Sequence, residues 1–173
     1  MYLDDRPFTT SALTAAAGCE PMTFRTWRNR NGLFPEIAGG RKWKRFTVVD
    51  VCIVRVIVAM TAHGLSASHA IRFAQDDLRG TLEALLTGDR DACLVGFFIG
   101  GIQNDELTGY YDESGNFQIA KTKDRPEASH SFVFLGDAVS LSEAMSMTKG
   151  ILTVIDLKAL AQQVIDFLDG RGA

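Results

Sequence analysis

Two hydrophobic rhythms divide the chain. Up to about residue 86, apolar residues recur every three or four positions, the spacing of helices packed on one side. Phe8 to Ala17 predicts a short helix, with Thr9 or Thr10 as its cap, Leu13, Ala16 and Ala17 facing inward, and Gly18 as its stop. Glu20-Pro21 opens a second helix over residues 21–30, because proline's missing N–H costs nothing in a first helical turn. Asn31-Gly32 ends it. Two short helices joined by a glycine-containing turn predict a helix-turn-helix unit. Leu33 to Phe46 contains Pro35, Gly39 and Gly40 and reads as a loop or short hairpin. Thr47 and Asp50 have the spacing of a capping box, with Asp in place of Glu. Residues 48–62 are apolar on almost every side, which predicts a helix at the centre of the core. Gly64 ends it, and Ser66 caps a further helix to about Leu86, with Ile71, Leu78, Leu82 and Leu85 on one side.

The second rhythm follows a linker at Gly88-Asp89-Arg90-Asp91. Strand-like runs occupy Cys93–Ile99, Leu107–Tyr111, Phe117–Lys121 and Phe132–Leu135, and Glu113-Ser114-Gly115-Asn116 reads as a hairpin turn. Gly150–Ile155 predicts another strand. Asp156 can cap a last helix, whose Leu157, Leu160, Ala161, Val164 and Leu168 share one face. That face predicts either self-association or a cover for the preceding sheet. The fold class is α+β, with an N-terminal domain over residues 1–75, a connecting helix and linker over 76–91, and a small strand-rich domain with a terminal helix over 92–173.

Charge sharpens the division. Residues 1–75 carry ten Lys and Arg against five Asp and Glu, a net of +5, whereas residues 76–173 carry eight against sixteen, a net of −8. Seven cations fall between Arg25 and Arg45, opposed only by Glu36. A segment this basic in an acidic protein points to nucleic acid, met by the front of the chain alone. Arg25 and Arg28 are neighbours on one helical face and are candidates for bidentate contacts with guanine. Thr23 and Thr26 are candidates for a phosphate or a thymine methyl. Arg41, Lys42, Lys44 and Arg45 read as phosphate contacts, which add affinity without sequence information. Trp43 and Phe46 alternate with these cations and read as packing onto the core.

The chemistry of an enzyme is not written in the chain. It holds no Gly-x-Ser-x-Gly, phosphate loop or dinucleotide fingerprint, and Ser129-His130-Ser131 is adjacent only in sequence. No catalytic residue, metal ligand or cofactor is assigned: His63, His69 and Asp76 do not make a metal set, and Cys19, Cys52 and Cys93 read as buried thiols. Phe97, Phe98, Tyr110, Tyr111, Phe117, Phe132 and Phe134 read as core, with an effector pocket as the other use for them. No apolar run is long enough to span a bilayer, and the N-terminus lacks the order of a signal peptide, so the expected location is the cytoplasm, away from membranes.

The first 75 residues resemble the winged-helix DNA-binding domain of the MerR family. The resemblance is carried in order by Phe8-Thr9-Thr10-Ser11-Ala12-Leu13 with Gly18, by Pro21, Thr23, Phe24 and Arg25, by Gly32-Leu33-Phe34-Pro35, by Trp43-Lys44-Arg45-Phe46-Thr47 with Asp50, and by Gly64-Leu65-Ser66. It implies a recognition helix in the major groove, a wing on the DNA backbone, and a dimer that often distorts promoter DNA. Met22 departs from the family's frequent basic residue, and Thr26-Trp27-Arg28 from its usual aromatic pair and acid, which implies a different base preference. The family's long dimerisation helix is shortened here, since strands begin near residue 93.

The expected function is a sequence-specific, dimeric transcriptional regulator that contacts duplex DNA through Thr23, Arg25, Thr26, Trp27, Arg28, Arg30, Arg41, Lys42, Lys44 and Arg45. Its back half is expected to answer to a small-molecule effector or RNA polymerase. Two rivals stand beside this: a sensor with a ligand pocket in the strand-rich domain, and an adaptor whose winged helix holds a protein.

Overall fold

The computed structural model describes residues 6–35, 45–99, 107–111, 117–121, 130–135, 139–147 and 152–171. The chain divides into two compact units, one of residues 1–92 with 157–173 and the other of residues 93–156.

The first unit is helical. Helix α1 (Thr10–Ala17) is capped by Thr9, whose Oγ1 accepts from the Ala12 N–H at 3.2 Å, and ends at Gly18 with a φ of 63°, where a side chain would be strained. Helix α2 (Pro21–Arg30) starts on its proline. Helix α3 (Val48–Ala62) opens on a full capping box: the Asp50 N–H donates to Thr47 Oγ1 at 3.2 Å, and Asp50 Oδ2 accepts from the Thr47 N–H at 2.8 Å. Its buried residues include Val48, Val49, Val51, Cys52, Ile53, Val54 and Ile57, on every side of the helix, so α3 forms the axis around which the others pack.

The long helix expected after Ser66 is interrupted. Helix α4 (Ala67–Arg72) runs into a π-helical turn at Phe73–Asp77, and a new helix α5 (Arg79–Thr87) follows. Ile71, Leu78 and Leu82 are buried as expected, but beyond the break Leu86 is buried where Leu85 was expected, and Leu85 is half-buried. The break exposes Asp76 and Asp77 and turns Gln75 toward the segment after α2.

The last helix, α7 (Leu157–Leu168), differs from expectation in its company. The sequence groups it with the strands, but it packs on α3, α5 and α1 in the first unit. Leu157, Ala161, Val164 and Ile165 are buried, and Arg55 Nη2 donates to Gln163 Oε1 at 2.9 Å beside them. The buried part of its apolar stripe therefore serves the helical core rather than the sheet.

The second unit is a five-stranded antiparallel sheet in the order β3-β2-β4-β1-β5, made of β1 (Leu94–Ile99), β2 (Leu107–Tyr111), β3 (Phe117–Lys121), β4 (His130–Leu135) and β5 (Thr153–Asp156). The hairpin turn expected at Glu113–Asn116 lies outside the described residues. Val133 and Leu135 pack with Ala144 of helix α6 (Leu141–Met147), flanked by Val139 and Leu152. Gly96 packs closely beneath them: a Cβ there would come within 2.7 Å of Leu152 Cδ1 and 3.0 Å of Val133 Cγ1, so the leucine side chain would have to shift. Helix α6 starts on a Ser140–Glu143 capping box, in which Glu143 accepts from the Ser140 N–H at 2.8 Å and from its hydroxyl at 2.7 Å. The backbone bond and then the hydroxyl hold the Glu143 carboxyl below its usual range.

All three cysteines are buried, and none forms a disulfide. Burial pushes the Cys52 thiol up to about 12. It pushes the Cys19 thiol up to about 11, against an opposing hydrogen bond from the Phe24 backbone. Among the described residues no helix is long and apolar enough to cross a membrane, and no cluster of His, Cys, Asp and Glu could hold a metal ion.

Candidate functional site

Helix α2 is anchored through two side chains. Phe24 and Trp27, three residues apart on one face, are buried, while Met22, Thr23, Arg25, Thr26, Asn29 and Arg30 are exposed. An element this short, with so polar an outer face, cannot hold its place by propensity. Phe24 holds it by meeting the Phe46 ring edge-on, with centroids 5.8 Å apart and planes at 76°. Phe46 is itself buried, tilted against Phe34 at 5.8 Å, and joined to Phe8 by a two-bond antiparallel bridge of 2.8 and 3.0 Å. The rings of Phe24, Phe34 and Phe46 thus form one aromatic cluster behind α2, with the Phe8 backbone bridged to Phe46 beside it.

The segment leaving α2 is pinned from the other side. Phe34 adopts a φ of 53°, in the left-handed region that a bulky residue rarely occupies. Its N–H donates to Gln75 Oε1 at 2.6 Å, and Asn31 Nδ2 donates to Ser68 Oγ at 3.1 Å. The π-helical turn is what presents Gln75 to this backbone, so the interruption of the expected helix has a local use: it fixes the exit of α2.

These supports sort the expected contact residues. Thr23, Arg25, Thr26 and Arg30 stand together on the exposed side of α2, and Arg45 is exposed one residue before Phe46. Trp27, at 6% exposure, faces the core instead, because its three-residue spacing from Phe24 sets it on the anchoring face. Arg28 lines the same groove as Arg25 but is less exposed than it. It is half-buried, its guanidinium 5.8 Å from the Phe46 ring centroid. Arg41, Lys42 and Lys44 lie outside the described residues, as does Trp43.

One contact candidate escapes the sequence reading. Asn29 is exposed one turn beyond Arg25, and the i, i+4 spacing of the two was the available signal. A groove of about 400 Å³ runs along this side, lined by Thr10, Pro21, Phe24, Arg25, Arg28 and Asn29. Arg25 and Asn29 bring five and two N–H donors to the helix surface, with the Asn carbonyl as acceptor. This is the equipment for reading base edges or gripping phosphates.

Residues 8–77 match the family described as MerR HTH family regulatory protein. This part of the chain is thus a MerR-family-like helix-turn-helix domain, which supports a DNA-binding transcriptional regulator. No curated protein matches the chain.

Proposed function

We propose that the protein is a sequence-specific transcriptional regulator that binds duplex DNA as a homodimer. Helix α2 enters the major groove, and the segment from Arg41 to Arg45 forms a wing that lies on the DNA backbone. The observation that carries this reading is the division of α2: Phe24 and Trp27 fasten one side, and the other offers Thr23, Arg25, Thr26, Asn29 and Arg30. A polar face with two arginines and an asparagine, held rigidly on a family match to DNA-binding regulators, suits base contact. Arg41, Lys42, Lys44 and Arg45 supply phosphate contacts in this reading. Residues 93–156 carry four Lys and Arg against nine Asp and Glu, a net of −5, and are repelled by the polyanion, which leaves the sheet unit for an effector or a protein contact such as RNA polymerase.

Fluorescence anisotropy with the protein's own upstream DNA and with scrambled DNA, across a salt series, tests the proposal. Tighter binding upstream with a steep salt slope is expected. Failure to bind either duplex at low salt would overturn it.

A further inference from the structure

We infer that Met22 reads the C5-methyl group of a thymine, with the Thr26 methyl beside it. The inference rests on α2 being the DNA-reading helix and deepens that assignment. Met22 is 68% exposed, ahead of Leu141 at 56%, the next most exposed large apolar side chain among the described residues. It occupies the first turn of α2 and contributes nothing to the buried side of the helix, which Phe24 and Trp27 form. A large apolar side chain held in water gains free energy only when something covers it.

Thr26, one turn on, extends the apolar surface. Its hydroxyl donates to the Met22 carbonyl at 3.0 Å, so its proton is committed to the helix's own backbone, and the exposed side chain brings a methyl group to the same face. Arg25, Asn29 and Arg30 surround the pair with donors. This setting selects the occupant. An apolar protein surface would leave the two guanidinium groups and the amide facing nothing they can bond, whereas a major groove supplies acceptors and phosphates for all three. Within that groove the methionine thioether has no proton to donate to N7 or O6 and is only a weak acceptor for the N6 or N4 amino groups of the bases. The one apolar feature there is the thymine methyl. The unbranched methionine side chain can adjust to meet it.

The test needs the full chain and a preferred duplex selected from a random pool. Each thymine is then replaced singly by deoxyuridine, which removes the methyl and nothing else. At one position the wild-type protein should lose about fourfold in affinity, the worth of burying one methyl group. Met22→Ala, which changes an exposed side chain and leaves the fold alone, should bind the thymine and uracil duplexes equally there. Indifference of the wild type to every replacement overturns the inference, and so does a penalty that survives undiminished in Met22→Ala. Either result leaves the DNA reading standing. A selection that returns no preferred duplex removes that reading, and the assignment of Met22 with it.

Discussion

Arg79 Nη2 donates to Asp50 Oδ1 across 2.8 Å, tying the start of α5 to the first turn of α3. The other Asp50 oxygen is taken by the Thr47 N–H and hydroxyl, so a carboxylate only 4% exposed has a partner for each oxygen. The Arg79 guanidinium also lies 6.0 Å from the Phe34 ring centroid. Arg79→Met should therefore lower stability by about 2 kcal/mol. Breaking a buried pair costs more, but the Arg79 side chain is 35% exposed, which discounts it. The urea midpoint should fall with an unchanged slope. A midpoint that does not move would mean that water replaces the guanidinium at no cost.

Trp27 and Asn29 should separate folding from binding. Trp27→Ala empties a core position and should cost about 3–5 kcal/mol, so that any loss of DNA affinity follows the unfolded fraction. Asn29→Ala alters an exposed side chain and should change stability by less than about 0.5 kcal/mol while weakening the preferred duplex. Thermal unfolding alongside anisotropy distinguishes them. A stable Trp27→Ala protein with lost affinity would return Trp27 to the contact surface.

Arg25 and Arg45 should differ in kind. Arg25→Ala should weaken the preferred duplex by roughly five- to hundredfold and scrambled DNA much less, because a base contact discriminates by about 1–3 kcal/mol. Arg45→Ala should weaken both alike and reduce the salt slope by about one. Equal losses on both duplexes for Arg25→Ala would move Arg25 from base reading to phosphate binding.

Alkaline conditions should destabilise the protein through its thiols. Cys19 and Cys52 rise from the ordinary 9.0 to about 11 and about 12 in the folded state. Their folded pKa values are raised, so the stability they contribute is whole below about 9 and is lost progressively as pH climbs from there toward 11–12. In that window the unfolded chain sheds protons that the folded one keeps. Between pH 8 and 10.5 the urea midpoint should decline, and Cys52→Ala should flatten part of the decline. Native protein at pH 8 should resist iodoacetamide at all three buried cysteines until urea opens it.

The sheet unit should be removable. Its first and last strands are neighbours, with Leu94 opposite Asp156, so the two points where the chain enters and leaves lie side by side. Replacing residues 93–156 with a short Gly-Ser link should leave a helical protein that unfolds cooperatively by circular dichroism. Loss of the cooperative transition would show that the helices depend on the sheet.

Local chemistry was legible in the sequence, and long-range partnership was not. Thr9, Thr47 with Asp50, and Ser66 announced their helices, because a cap bonds within four residues of itself. The strands at Leu107–Tyr111 and Phe117–Lys121 fall where their alternation put them. The π-helical turn was hidden, since Ile71, Leu78, Leu82 and Leu85 keep the spacing of an unbroken helix, and α6 was too short to show a periodicity. The stripe on α7 was plain, but an amphipathic face does not name what it covers. At the candidate site Arg25 and Thr26 could be read, whereas the inward turn of Trp27 depended on its spacing from Phe24, which the charge around it obscured.

The return of α7 to α3 has a consequence in time. During synthesis α3 emerges about a hundred residues before α7. At ~5–20 residues per second its apolar flank waits roughly 5–20 s for the partner that covers it. A chain lacking residues 157–168 would leave the α3 flank that they cover open to water, a sticky fragment rather than a smaller DNA reader.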